Sequence, residues 1–222
     1  MDLSEINFAV LVASLIVAST PLVLAALGEL IVEKSGVLNL GVEGMMIIGA
    51  VTGFIVGVET GSAYIGMMAA AMAGALLSLL FAFIILIMQA NQVASGLALT
   101  IFGLGIAALM GHPYTGIKSP QISTISIPFI SEIPVLGIMF FQHDLIVYLS
   151  LISVLVIWYF LNRMRAGLIL RSVGEDHDVA HSLGYRVVTI RFLAITFGGA
   201  MAGVGGGYLS LVRVPQLSLI HI

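Results

Sequence analysis

Residues 64–88 read YIGMMAAAMAGALLSLLFAFIILIM, twenty-five positions without one charged side chain. A helix needs about 20 mostly apolar residues to cross a hydrocarbon core of ~30 Å, and this run is long enough. It shows no alternation of polar and apolar residues, so a strand is disfavoured. Five further stretches share its character: Ile6–Leu27, Val37–Val58, Val93–Met110, the shorter Leu145–Leu161 with Trp158 and Tyr159 near its end, and Val188–Leu211. Each is apolar all round, as a helix in lipid or inside a bundle should be. The expected fold is all-α: a polytopic membrane protein with about six transmembrane helices in one domain, residues 1–222.

Composition agrees. Of 222 residues 60% are hydrophobic and 9% charged, against about 25% charged in soluble domains. Eight Lys and Arg against eleven Asp and Glu leave a net charge of −3, with no basic excess for nucleic acid. Cysteine is absent, which removes disulfides, thiolate metal sites and Cys nucleophiles. The N-terminal stretch carries Asp2 and Glu5 but no Lys or Arg, the wrong sign for a signal peptide.

The few cations set the orientation. Arg163, Arg165, Arg171, Arg186 and Arg191 cluster around residues 162–189. Placing that loop in the cytoplasm brings Lys34 inside as well, and leaves only Lys118 and Arg213 outside. The N-terminus is then outside. Residues 112–144 become an external loop, because Pro113, Pro120, Pro128 and Pro134 forbid one continuous helix there.

Several constellations bear on function. In the cytoplasmic loop, Glu175, Asp176 and Asp178 sit where a helix N-terminus favours acids, and Gly184 sits where a glycine would stop that helix. Val179 and Leu183 give it a small apolar stripe, a shape suited to docking in a groove on a soluble partner. The alternative is a solvated loop with one helical turn. His177 and His181 come near the H-E-x-x-H zinc pattern, but the intervening acid is Asp178 and no third ligand is evident, so no metal site is expected.

Glu43 follows an apolar run directly, and an ionisable group at membrane depth needs protein or water beside it. With Asn39 and Gly36, Gly41 and Gly44 it reads as irregular backbone near a translocation path, or as a carboxylate solvated at the interface. Asn91 and Gln92, with Gln89, occupy the turn between two spans, as path candidates or as helix caps. Gly49, Gly53 and Gly57, and Gly199, Gly203 and Gly207, form small-xxx-small faces that favour helix packing. No G-x-x-x-x-G-K-[ST] loop and no G-x-S-x-G elbow is present, so no catalytic residue is expected.

Three of these segments together carry a resemblance. The run from Glu29 through Asn39, Glu43 and Gly44 to Met45, followed by Gly49-Ala50, resembles a signature of bacterial ABC-importer permeases for simple sugars and nucleosides. Asn91 to Thr100 resembles their next motif. Arg171-Ser-Val-Gly174-Glu175, with Asp176, Ala180, Leu183 and Gly184, is similar to their cytoplasmic coupling loop, shared loosely with branched-chain amino-acid permeases. The resemblance implies a permease subunit in a bacterial inner membrane, moving a nucleoside or simple sugar. It implies a second permease subunit, an extracytoplasmic solute-binding protein, and cytoplasmic ATPase subunits that carry the ATP and Mg, with no cofactor in this chain. Because the family usually continues beyond the Gly199–Gly207 helix, the chain is expected to be incomplete at its C-terminus. Read from residues alone, an ion-coupled carrier or channel using Glu43, or a membrane metalloprotease using His177 and His181, remain the alternatives.

Overall fold

The computed structural model describes residues 8–120, 122, 125–126 and 141–213. Six helices among them are long and apolar enough to span a membrane. These are α1 (Phe8–Lys34), α2 (Val42–Thr60), α3 (Ala63–Ala82), α4 (Gln92–Gly111), α5 (Leu145–Arg163) and, after two short helices α6 (Arg165–Glu175) and α7 (His177–Ser182), α8 (Val187–Tyr208). α3 and α8 each end in a π-helical turn, Phe83–Ile87 and Leu209–Arg213. The protein is a multi-pass, all-α membrane protein.

α8 is the hub, packing against α1, α2 and α3 at once. Its glycines make this possible, since each brings a neighbouring helix too close for a Cβ. Gly206 lies on the Met46 carbonyl of α2, and Gly203 on the Ala70 carbonyl of α3. A Cβ at Gly205 would stand 2.7 Å from the Pro21 carbonyl oxygen of α1. Gly49 faces Gly203, Gly199 faces Ser78, Gly207 faces Ala70, while Gly53 and Gly57 approach Gly66 of α3. In lipid no water is released when helices meet, so close backbone contact supplies the attraction. Around these contacts Val32, Met45, Phe81, Leu99, Ile195 and Ala202 form the largest buried cluster.

The periphery is looser. α4 buries one stripe, Gly96, Leu99, Gly103 and Ala107, against α2 and leaves its other faces open. α5 rests on α1 and is capped by Asp144, whose Oδ1 accepts from the Ile146 and Val147 amides. Asp144 Oδ2 also accepts from the buried Tyr208 hydroxyl at 2.8 Å, tying α5 to α8. On that far side the described parts of 112–144 are a 3-10 turn, His112–Tyr114, and a two-residue ribbon pairing Ile125 with His143 and Ser126 with Gln142. Residues 121, 123–124 and 127–140 of that loop lie outside the described residues.

Three boundaries differ from what the sequence predicts. The second span starts at Val42 rather than Val37, because residues 35–41 are tied down as non-helical backbone. The first span continues to Lys34 rather than stopping near Leu27, because Glu29 finds an internal partner and Ile31 and Val32 are buried in the bundle. The loop 162–189 holds two helices rather than one. Met164 adopts extended backbone between α5 and α6, and Gly167 then lets α6 fold back onto the Phe160 carbonyl. Glu175 therefore closes α6 and does not start the next helix.

Candidate translocation and coupling sites

Between α1 and α2 the backbone is non-helical. Ser35, Val37 and Asn39 point inward and alternate with exposed Gly36, Leu38 and Leu40. Buried irregular backbone needs protein to satisfy its polar groups. Here each tie comes from a distant helix. The Glu29 carboxylate of α1 accepts from the Asn39 amide N–H at 3.2 Å and from Asn39 Nδ2 at 3.1 Å. Asn39 Oδ1 turns back to accept from the Gly41 N–H at 3.0 Å. Gln92 Oε1 of α4 accepts from the Leu38 N–H at 2.8 Å, and Thr100 Oγ1 donates to the Leu40 carbonyl. Arg191 Nε of α8 donates to the Ser35 carbonyl at 3.0 Å. Gly96 of α4 packs directly against the Leu40 and Gly41 backbone.

The four path candidates thus occupy different places. Asn39 is buried, and its amide is committed to Glu29 and Gly41. Asn91 caps α4, its Oδ1 accepting from the Ala94 N–H. Gln92 pins the irregular segment from the side. Glu43, for which the sequence allows a place near the path or a solvated one at the interface, is an exposed side chain in the first turn of α2. A carboxylate that does have a structural partner is Glu29, held by Asn39. Its signal was available: an acid within an apolar helix, ten residues from an Asn between glycines.

The second feature lies on the arginine-rich side, called here the basic side. Asp176 caps α7, its Oδ1 accepting from the Asp178 and Val179 amides. The helix ends through Gly184 at φ +87, with Gly184 N–H donating to the His181 carbonyl and Tyr185 N–H to the Ala180 carbonyl. Only a left-handed residue lets both carbonyls be reached, which is glycine's role at such a stop. Ala180 anchors α7 against Val173 and Val187, while Val179 and Leu183 stand 53% and 70% exposed.

α6 and α7 enclose a groove of about 450 Å³ whose walls include Leu168, Arg171, Glu175, Asp176, Ala180 and Leu183. Arg171 Nε is buried there without an acceptor. Gly174 does not line it; it packs on the Lys34 carbonyl behind. His177 and His181 face a separate polar cleft with Gln89, Asp178 and Arg191. Among the described residues no three His, Cys, Asp or Glu side chains are arranged to hold a metal ion.

A glycine-packed bundle of six spans, an irregular connection tied by three helices and an exposed helical groove beside it define a polytopic membrane protein. The chain belongs to the family described as branched-chain amino acid transport system / permease component, which matches residues 11–218. It is 39% identical over 198 residues to a Haloferax volcanii protein provisionally named a glucose ABC transporter permease, covering 87% of this chain and 60% of that protein. It is 36% identical over 230 residues to a guanosine ABC transporter permease protein of Bacillus subtilis, covering 96% of this chain and 71% of the relative. A nucleoside ABC transporter permease protein of Lactococcus lactis is 33% identical over 208 residues, with 89% and 66% covered. The chain therefore spans about three fifths to seven tenths of these relatives' lengths. No solved structure matches it. Permease components of this family are not themselves enzymes.

Proposed function

We propose that this chain is part of the membrane-spanning subunit of an ATP-driven importer for a nucleoside or simple sugar. The observation that carries the reading is the family match over 208 positions, with relatives named for guanosine, nucleoside and glucose transport. The basic side faces the cytoplasm of a bacterial inner membrane and the N-terminus lies outside, as the Lys and Arg distribution favours. ATP and Mg bind on separate ATPase subunits, whose surface covers the α6–α7 groove. Exposed Leu168, Val179 and Leu183 are three apolar side chains beyond the membrane spans, and a protein surface would remove them from water. A second permease subunit completes the pathway, and an extracytoplasmic solute-binding protein delivers the substrate.

In this reading the locked connection at 35–41 transmits movement. Arg191 joins it to α8, and Gly174 joins α6 to the end of α1. A displacement of α6 and α7 by the ATPase therefore reaches the α1–α2 junction through packed backbone. The test is uptake of labelled guanosine and glucose by cells expressing the complete subunit set. Accumulation that requires the ATPase chain is the expected outcome; equal accumulation without it, driven by an ion gradient, overturns the reading.

A further inference from the structure

A third groove, on the membrane side of α6, is separate from both sites above. It has a volume of about 570 Å³ and lies between α1, α5, α6 and α8. Ile31, Val156, Phe160, Ile169, Leu193 and Phe197 line it, and the Tyr185 hydroxyl is the one polar side-chain group in its wall. Val156, Leu193 and Phe197 are exposed, so the groove opens laterally and is not sealed within the bundle. Phe197 stands ten residues into α8, about 15 Å below its start at 1.5 Å per residue. That depth is about half of a ~30 Å hydrocarbon core, the reach of a single leaflet.

Its mouth is basic. Met164 lines the groove between Arg163 and Arg165, and Tyr185 lines it beside Arg186. All three arginines are exposed, and none of their side chains has a hydrogen-bond or ion-pair partner among the described residues. No acidic residue lines this groove; Glu175 and Asp176 face the other one, across α6. An apolar slot reaching about 15 Å along α8, with three exposed arginines each next in sequence to a residue of its wall and within a long side chain's reach of it, matches one class of molecule. Arginine forks bind phosphate oxygens, and basic pockets at helix ends attract anionic lipid headgroups.

We propose that this groove holds an anionic phospholipid, with an acyl chain along Phe160, Leu193 and Phe197 and its phosphate against Arg163, Arg165 and Arg186. The proposal rests on membrane residence alone and stands apart from the transport reading. Lipid bound here would brace α6 against α5 and α8, on the opposite side of α6 from the α6–α7 groove.

The experiment is native mass spectrometry of the purified chain, titrated with phosphatidylglycerol and, separately, phosphatidylethanolamine of the same acyl composition. Phosphatidylglycerol should be retained preferentially. Arg163→Gln, Arg165→Gln and Arg186→Gln should each weaken it about fivefold, and the triple variant roughly a hundredfold, at about 1 kcal/mol per basic residue. Ala166→Trp, at an exposed wall position, should displace both lipids while leaving the arginines in place. Equal retention of the two lipids, or undiminished phosphatidylglycerol binding by the triple variant, overturns the proposal. So does a photo-crosslinker at Phe197 that captures a protein segment in place of lipid.

Discussion

Residues 35–41 and residues 176–186 both connect longer helices, the first joining α1 to α2 and the second, which includes the short α7, joining α6 to α8. Their fates are opposite. The first is buried on alternate residues and tied by Glu29, Gln92, Thr100 and Arg191 from three separate helices. The second satisfies its polar groups locally, through Asp176 at one end and Gly184 at the other, and presents Val179 and Leu183 outward. Their compositions differ, since 35–41 has no charged residue and 176–186 carries Asp176, Asp178 and Arg186. They differ further in whether side chains far along the sequence converge on the backbone, which makes the first a tied joint and leaves the second with an exposed apolar stripe.

The sharpest way to break this contrast is to push the joint apart. Gly96→Leu places a side chain where a Cβ already stands 2.9 Å from the Leu40 and Gly41 amides. Backbone cannot yield as a side chain can, so a loss of about 3 kcal/mol, the upper end of overpacking costs, is expected. The measurement is the melting temperature in detergent; an unchanged value would show that the joint is not packed as described. Glu29→Ala is next. It strands two Asn39 donors in a buried setting, for about 1–3 kcal/mol, and should speed hydrogen exchange at residues 36–41. Protection equal to wild type there would contradict the role given to Glu29.

Changes in the other region should stay local. Asp176→Ala removes the cap on the Asp178 and Val179 amides, about 0.5–2 kcal/mol of helix stability. Exchange should rise across 177–183 while the joint at 36–41 stays protected; a rise in both would mean the regions are one unit. Leu183→Glu should change stability least, by about 0.5 kcal/mol or less, because the side chain is 70% exposed. It should nevertheless abolish co-purification of the ATPase, and retained association would remove Leu183 from the interface.

The six spans were legible in the sequence because hydropathy alone marks them, and the family segments fell in order along the chain. Boundaries set by tertiary contact were not. The run from Glu29 to Lys34 reads as an exit from the membrane until Asn39 folds back to Glu29. α6 escaped notice because Arg165 and Arg171 dilute its hydropathy. Yet its buried Gly167, Leu170 and Val173 are spaced three apart, a helical signal visible once sought. Glu43, beside Met45 and Met46, reads either as a carboxylate near the path or as one solvated at the interface, and it is an exposed side chain in the first turn of α2. Neighbours in sequence predict a residue's surroundings within a helix, but not at a break between two.

The central claim is that the basic-side groove meets an ATPase. Photoreactive benzoylphenylalanine in place of Leu183, in cells expressing the complete subunit set, tests it most directly, with Val37, which is 2% exposed, as the control position. A crosslink to the ATPase chain from position 183 and none from position 37 is the predicted result. A position 183 that captures only lipid or water, in cells that still accumulate substrate, would contradict the account.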